Sequence, residues 1–551
     1  MTVKSDSPLS KMTGYLMLAL LTLLSGCEPA NTEDSIFTDG LVYCSEGSPT
    51  SFNPQLVTSG TTIDATTRQI YNRLLDFNRD NYQLEPSLAR SWHVTNDGKK
   101  ITFYLRKDVA FHQTRYFKPT RNLNADDVIF SFERILNKNN PFYRAARGNY
   151  PFFRGIKFEQ LVEKVERIDD YTIRFILTRP DASFLSNLGA PFAVILSKEY
   201  ADQLIAQNEP SMLSMLDYLP IGTGPFMYKE YRPNAFIRYQ RHDQYWKHPV
   251  AIEKLIFNIT PNNTGRLTKL LTHECDVISY PIAPQEIRSR DDLQLEEVTS
   301  FNVAFLAFNT IRPPFDNPLV RQAVSLAINR EAIINAVYFD QAEIAHSLLP
   351  TASWAYNEPQ TKLPYSIEQA KQLLADAGLE QGFTLDLWAI PVQRAYNPDA
   401  RKMAKLIRSD LARIGINVNI ITYEWSTFLR KLSDGEHQAA LVGWSADHPD
   451  PDNFFTPLLS CSSARSGSNR SFWCNRNFDQ LLAKALSTRN AKQRRDYYLQ
   501  AQQLISEEFP LLPIAHAKRA QAKTSLVQGN ILTPFGGITF ADTKKLAGEK
   551  Q

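Results

Sequence analysis

A charge bias is the first thing this sequence lacks. Its 61 Lys and Arg face 58 Asp and Glu, a formal net charge of +3 over 551 residues. That balance is too even to mark nucleic acid or an acidic tail as a partner. Nor does any apolar run reach the roughly 20 residues that a membrane-spanning helix needs. There is no internal repeat and no low-complexity stretch. The 9 histidines are scattered without metal-ligand spacing, and the 5 cysteines include no C-x-x-C, so no zinc site is expected. Enzyme signatures are missing as well. Gly443-Trp444-Ser445-Ala446-Asp447 begins like a nucleophile elbow but lacks the closing glycine. Gly222-Thr223-Gly224-Pro225-Phe226 begins like a dinucleotide fingerprint, yet Pro225 and the missing third glycine make it a turn before a strand. Neither H-E-x-x-H nor a phosphate-binding G-x-x-x-x-G-K-[ST] occurs. The expectation is a protein without cofactor or metal, and not an enzyme.

The sequence does have ample core material. Hydrophobic residues make up 43% and charged residues 22%, which excludes disordered, collagenous and coiled-coil classes. At about 150 residues per domain the length gives three to four domain equivalents, so the chain reads as a large soluble body. Its start carries an export signal. Lys4 and Lys11 precede the apolar Tyr15–Leu24, too short to span a membrane and followed by Leu24-Ser25-Gly26-Cys27. The pattern resembles a bacterial lipobox, with residues 1–26 removed and Cys27 lipidated; an ordinary secretory signal is the alternative. Residues 27–40, including the polar EPANTEDS, read as a tether. Export brings an oxidising compartment, where the four remaining cysteines suggest two disulfides. Cys461 and Cys474 share a short Gly/Ser/Asn-rich segment and suit a local pair, which leaves Cys44 and Cys275 to close a long loop. Free buried thiols remain open at this point.

Hydrophobic periodicity divides the chain into two blocks. From Leu41 to about Ser300 short alternating segments read as strands: Lys100–Leu105, Tyr171–Leu177 and Lys254–Ile259. Between them Asn124 is placed to cap a helix with acids in its first turn. From about Phe301 the order becomes strand, helix, strand. A helix begins at Pro318, Ser366 caps another that Gly378 ends, and a third over Asp399–Ile414 stops at Gly415 before the strand Ile416–Thr422. Phe509–Ile514 and Leu532–Phe540 return to β-like segments, so the chain is expected to cross back into the first block near residue 515. Two crossings imply two α/β lobes joined by a paired hinge, with a cleft between them.

Several segments combine charge with rigidity: Leu385–Arg401 (LDLWAIPVQRAYNPDAR), Asp434–Phe455 (DGEHQAALVGWSADHPDPDNFF) and the small-residue loop Thr58–Thr62. Together with LVYCSEGSPTSFNPQLVTSGTT, NADDVIFSF and IGTGPF, in that order along the chain, they resemble the dipeptide- and oligopeptide-binding proteins of bacterial ABC importers. These form the large family 5 of solute-binding proteins, and the resemblance covers essentially the whole mature chain. HQTRYFKPTRNLNADD, TGRLTKLLTHECDV, FWCNRNFD and LTPFGGITF resemble its Sap branch, linked to antimicrobial-peptide uptake and, in some relatives, to haem.

The resemblance implies an α/β, two-lobed periplasmic binding protein fold with a paired hinge and an extra sub-domain in the first lobe. The expected boundaries are 41–300 for lobe I, with the sub-domain at about 80–215, then 301–515 for lobe II and 516–551 returning to lobe I. It places Asp447 on the ligand's ammonium and Arg394 on its carboxylate. Ser59-Gly60-Thr61 and Gly443-Trp444-Ser445 supply backbone edges for the peptide, and Tyr396 and Trp444 an aromatic cover. It also pairs Cys44 with Cys275 and Cys461 with Cys474. His448 and Ala446 depart from the glycine-rich turn of dipeptide binders. The physical logic agrees: a guanidinium matches a carboxylate as a two-pronged fork, and main-chain groups satisfy the ligand amide as in strand addition. The implied partners are short peptides, dipeptides favoured, and an inner-membrane ABC permease, with no nucleic acid. Membrane contact is expected through the lipid anchor only, and the protein is expected to be a periplasmic monomer. A Sap-type binder of antimicrobial peptides or haem is the alternative, and a periplasmic peptidase a more distant one.

Overall fold

The computed structural model describes residues 40–357, 364–466, 468–533 and 535–546. The expected signal segment 1–26, the lipidation candidate Cys27 and the tether up to residue 39 lie outside the described residues.

Strand β1 (Leu41–Ser45) is buried along its whole length, as suits a strand flanked on both sides and covered on both faces. Helix α1 (Gly60–Thr66) follows, with Ser59 as its cap. A four-stranded antiparallel sheet comes next: β2 (Ala89–Val94), β3 (Lys100–Leu105), β4 (Val162–Asp169) and β5 (Thr172–Leu177), in the order β2-β3-β5-β4. The alternation of β5 buries Ile173, Phe175 and Leu177 on one face. Helix α2 (Ala125–Leu136) packs on this unit, and its start is fixed by a capping box between Asn124 and Asp127.

The chain then returns to the neighbourhood of β1 through β6 (Phe226–Arg232), β7 (Phe236–Arg241), β8 (Lys254–Ile259), α3 (Asn263–Leu271), β9 (Val277–Ser279) and β10 (Leu293–Val298). The next block supplies β11 (Asn302–Phe308), α4 (Pro318–Ala327), β12 (Ala342–Ile344), α5 (Ile367–Asp376), β13 (Thr384–Ala389), α6 (Ala400–Ala412), β14 (Asn417–Ile421) and β15 (Ala439–Ser445). It ends with α7 (Asp452–Leu459), α8 (Ala491–Glu508) and β16 (Leu511–Ala517), and β17 (Arg519–Thr524) leads back.

Two larger sheets result. One has the order β10-β17-β9-β1-β8-β7-β6, with β1 parallel to β8 and β9. The other has the order β12-β16-β11-β15-β13-β14, with β13 parallel to β14 and β15. Each organises its own hydrophobic core, one around Tyr43, Leu255 and Phe257, the other around Leu306, Leu387 and Leu441. This is a two-lobed mixed α/β architecture, as the family resemblance implies. Both disulfides join the pairs that the cysteine arithmetic suggested, Cys44–Cys275 at a Cα separation of 5.9 Å and Cys461–Cys474 at 4.4 Å. The free-thiol alternative is thereby removed.

The second crossing lies at Lys518, where β16 ends after continuing to Ala517 to pair with β12. Two details differ from expectation. Leu532–Phe540 makes only a bridge between Leu532 and Ile538. The carbonyls of Thr533 and Gly537 accept from Arg519 instead of from a neighbouring strand. Gly60 and Thr61 are not loop residues but the first turn of α1, since Ser59 offers a side-chain acceptor to the Thr62 N–H.

Candidate functional site

Strands β13 and β15 are parallel neighbours, with Leu387 opposite Ala439 and Ala389 opposite Leu441. Their C-terminal ends therefore emerge at the same edge of the sheet, where open α/β sheets bind ligands. Beyond β13 the chain passes Pro391 and closes a tight turn. The Arg394 N–H donates to the Asn397 carbonyl and the Asn397 N–H to the Arg394 carbonyl, both at 3.0 Å. The Tyr338 hydroxyl holds this turn by donating to the Tyr396 carbonyl at 2.8 Å.

The turn leans on β15 at Gly443. A Cβ there would stand 2.3 Å from a ring carbon of Tyr396 and 2.5 Å from the Val303 carbonyl oxygen. Only glycine permits this approach, and it locks Tyr396 to the strand that carries Trp444 and Ser445. Tyr396 is accordingly desolvated, and burial pushes its hydroxyl up to about 12. The Arg394 guanidinium lies over Trp425, 4.5 Å from the ring centroid, a cation–π contact that orients it without neutralising it. Its Nη1 makes one long contact, 3.4 Å, to the Gln393 carbonyl. Among the described residues no carboxylate pairs with it.

Asp447 stands two residues beyond β15. Its N–H donates to Asn453 Oδ1 at 3.0 Å, and Trp444 Nε1 approaches the same oxygen at 3.4 Å. Burial pushes its carboxyl up to about 7, against a hydrogen bond from Asn453 that favours the charged form. No cation among the described residues pairs with it. Its neighbours are different. Asp450 pairs with Arg494 at 2.8 Å and accepts from Ser183 Oγ at 3.0 Å. Asp452, also pushed up to about 7 by burial, accepts from Thr456 Oγ1 in its own helix at 2.6 Å. Departure His448 is buried and shares Nε2 between Asn187 Oδ1 at 2.9 Å and Asn453 Nδ2 at 3.2 Å. Burial holds it well below its usual range, at about 4, so it is neutral and acts as a spacer between the lobes. Departure Ala446 is buried, and its N–H donates to the Phe301 carbonyl at 2.7 Å.

The structure thus collects Arg394, Tyr396, Gly443, Trp444, Ser445 and Asp447 on one lobe, around two adjacent strand ends. Ser59, Gly60 and Thr61 belong to the other. There Ser59 Oγ and Thr61 Oγ1 are 2.8 Å apart and Thr61 Oγ1 donates to the Ser48 carbonyl at 3.2 Å. A Cβ on Gly60 would meet nothing within 4 Å. The lobes touch beside Arg394, where Asn263 Nδ2 of α3 donates to Gln393 Oε1 at 3.0 Å. They touch again near Asp447, through the Asn187 and Ser183 contacts.

Sequence reading missed the lobe I charges. Glu46 and Asp64, with Tyr280 and Arg519, form one electrostatic neighbourhood, and the Tyr280 hydroxyl also feels Arg394. Trp425 and Asn453, which position the two unpaired charges, were missed too. The only signal for Asn453 is its place in DPDNFF, and Trp425 has none.

The chain is similar to known proteins over most of its length. Residues 83–466 match the bacterial extracellular solute-binding proteins, family 5. The chain is 45% identical to the dipeptide-binding protein of Escherichia coli (strain K12), over 92% of this chain and 94% of that one. It is 40% identical to heme-binding protein A of Haemophilus influenzae, over 96% and 98%. The crystal structure of a dipeptide-binding protein from Pseudoalteromonas sp. SM9913 in complex with Met-Leu superposes with a TM-score of 0.84 at 48% identity, covering 92% of this chain and all of that one. The chain belongs to the bacterial extracellular solute-binding proteins of family 5.

Proposed function

We propose that this protein is the substrate-binding component of a peptide ABC importer, which takes short peptides, dipeptides by preference, between its lobes and delivers them to an inner-membrane permease. One observation carries the reading: an unpaired guanidinium, Arg394, and an unpaired desolvated carboxyl, Asp447, stand at adjacent strand ends. A zwitterion supplies what both lack. Its carboxylate meets Arg394 and its ammonium meets Asp447, while Tyr396 and Trp444 cover it. Backbone groups at Gly443–Ser445 and at Ser59–Thr61 take its amide. None of these contacts reads a side chain, so length is selected rather than sequence. The lobes, with boundaries at about 300 and 515 and a sub-domain over about 80–215, close on the peptide. Differential affinity for the closed form drives closure. Removal of residues 1–26 and lipidation at Cys27 anchor the monomeric protein to a membrane facing the periplasm. The likeness to the dipeptide-binding proteins of E. coli and Pseudoalteromonas supports the peptide assignment.

A second reading, haem binding, rests on the heme-binding relative. Isothermal titration with di- to octapeptides, run beside a haem titration read by absorbance, separates the two. Sub-millimolar binding of dipeptides is expected; haem binding with no peptide binding removes the proposal. Free amino acids released on prolonged incubation would move it to a peptidase.

A further inference from the structure

Among the described residues five acids are more than nine-tenths buried: Asp64, Asp127, Asp217, Asp276 and Asp450. Four have partners. Asp127 pairs with Arg121, Asp217 with Arg134, Asp276 with Lys545 and Asp450 with Arg494. Asp64, 4% exposed, is the exception: its carboxylate accepts no hydrogen bond and makes no ion pair among the described residues. A buried carboxylate left without a donor is costly, and folds keep such groups where a ligand completes them.

The surroundings point the same way. The charges that act on Asp64 are first Glu46 and then Arg519, so its strongest neighbour is a second acid. Glu46 directly follows β1, and Tyr280 directly follows β9, which is parallel to β1. Both therefore lie at the C-terminal edge of lobe I. Glu46 Oε2 accepts from Ser279 Oγ at 2.8 Å. Arg519 is the nearby cation, but its Nη1 is committed to the Thr533 and Gly537 carbonyls at 2.6 and 3.0 Å. Tyr280 holds a left-handed backbone, φ +46°, that a residue with a side chain adopts only where its surroundings impose it. Its hydroxyl feels Glu46, Arg519, Asp64 and, from the other lobe, Arg394.

We propose that Asp64, with Glu46 beside it, is a subsite for a cationic side chain on the ligand's C-terminal residue. The inference rests on the peptide reading above, which puts the ligand carboxylate on Arg394; Tyr280, which feels Arg394 as well as Glu46 and Asp64, links that end of the ligand to the lobe I acids. A lysine or arginine side chain brings the donors that Asp64 lacks, an aliphatic one leaves it bare, and an acidic one adds a third negative charge. Backbone and terminal contacts make the protein tolerant of sequence, and this subsite gives it a graded preference.

Isothermal titration of the full chain with Ala-Leu, Ala-Lys and Ala-Glu tests it. Ala-Lys should bind about 10-fold or more tighter than Ala-Leu, the scale of one charge-assisted hydrogen bond, and Ala-Glu weaker than both. Asp64→Asn should erase the Ala-Lys advantage and leave Ala-Leu nearly unchanged. Glu46→Gln should reduce that advantage in part, and it serves if Asp64→Asn does not fold. Equal affinity of the unaltered protein for Ala-Lys and Ala-Leu overturns the subsite and leaves the peptide reading standing. So does an equal loss for both ligands in either variant. Failure to bind any of the three removes the peptide reading, and the subsite with it.

Discussion

The side chain of Asn302 ties the two crossings between the lobes together. Its Nδ2 donates to the Ala517 carbonyl at 2.8 Å, and its Oδ1 accepts from the Ala517 N–H at 2.9 Å. The Asn302 carbonyl accepts from His516 Nδ1 at 2.6 Å. Asn302 is fully buried. One amide thus replaces a pair of strand hydrogen bonds where two strands leave one sheet for the other. Asn302→Ala should strand both Ala517 groups and cost about 2–6 kcal/mol, at 1–3 kcal/mol for each buried orphan. Denaturant melts should show this loss, and a shift under 0.5 kcal/mol would mean water fills the gap.

Arg394→Ala should weaken binding of a dipeptide by about 2–5 kcal/mol, the usual penalty for removing one partner of a desolvated pair. A C-terminally amidated dipeptide offers no carboxylate and should hardly respond. Calorimetric titration of both ligands decides, and similar losses for the two would contradict the assigned contact. Because the guanidinium rests on Trp425, Trp425→Leu should reproduce part of the effect by releasing its orientation.

Asp447 gives opposite signs for binding and stability. Burial raises its carboxyl to about 7 in the unliganded protein, and only the ionised form attracts an ammonium. Dipeptide affinity should therefore be full above pH 7 and fall about tenfold per pH unit as pH drops through 7. It should fall again once the ligand's own amine, with a usual pKa of about 7.7–8.0, deprotonates. Stability runs the other way: a raised folded-state pKa favours folding at low pH, and that advantage is lost as pH rises from the ordinary carboxylate range through 7. Asp447→Asn should flatten the pH profile of binding, abolish most affinity and raise the melting temperature at pH 8. Since Asp452 and Asp64 are raised to about 7 by burial too, the difference between the variant and the parent is the quantity to plot.

The elements most legible in sequence were those whose own residues carry the rule. Asn124 with Asp127 marks a helix start through a local capping box, and Thr172–Leu177 alternates because one face of the strand, Ile173, Phe175 and Leu177, is core. The place of Arg394 and Asp447 just beyond strand ends was readable because each sits in a distinctive block after a strand. The lobe I neighbourhood was not. Glu46 and Asp64 are 18 positions apart, and Tyr280 and Arg519 lie hundreds of residues further on; only the parallel pairing of β1 with β9 and the return of β17 bring them together. Gly60 was read as loop because Thr and Gly are poor helix formers, yet the Ser59 cap outweighs that local preference.

The disulfides should contribute unequally. Cys44 and Cys275 are 231 residues apart, Cys461 and Cys474 only 13. In the chain-entropy account the long closure is worth about 5 kcal/mol and the short one about 3 kcal/mol. Serine replacement of each pair, followed by denaturant titration, should rank them in that order. A larger loss from the short pair would place its role in the folded state, beside the Asp479 carboxylate that accepts from the Cys461 N–H at 3.1 Å.

The bond from Asn263 to Gln393 crosses the cleft one residue from Arg394, and that position separates closing the lobes from reading the ligand. Gln393→Ala removes a contact that exists only when the lobes meet, and it touches neither end of a bound zwitterion. It should therefore weaken every ligand by the same factor, about 2- to 10-fold for one neutral hydrogen bond of about 0.5–1.5 kcal/mol. Arg394→Ala, by contrast, should discriminate between free and amidated C-termini. The loss should appear as faster dissociation with little change in association rate, because the encounter occurs in the open form. Stopped-flow measurements on one dipeptide and one amidated dipeptide give both comparisons. If Gln393→Ala also discriminated between the two ligands, closure and carboxylate recognition would be one event, and the cross-lobe bond would belong to the binding site itself.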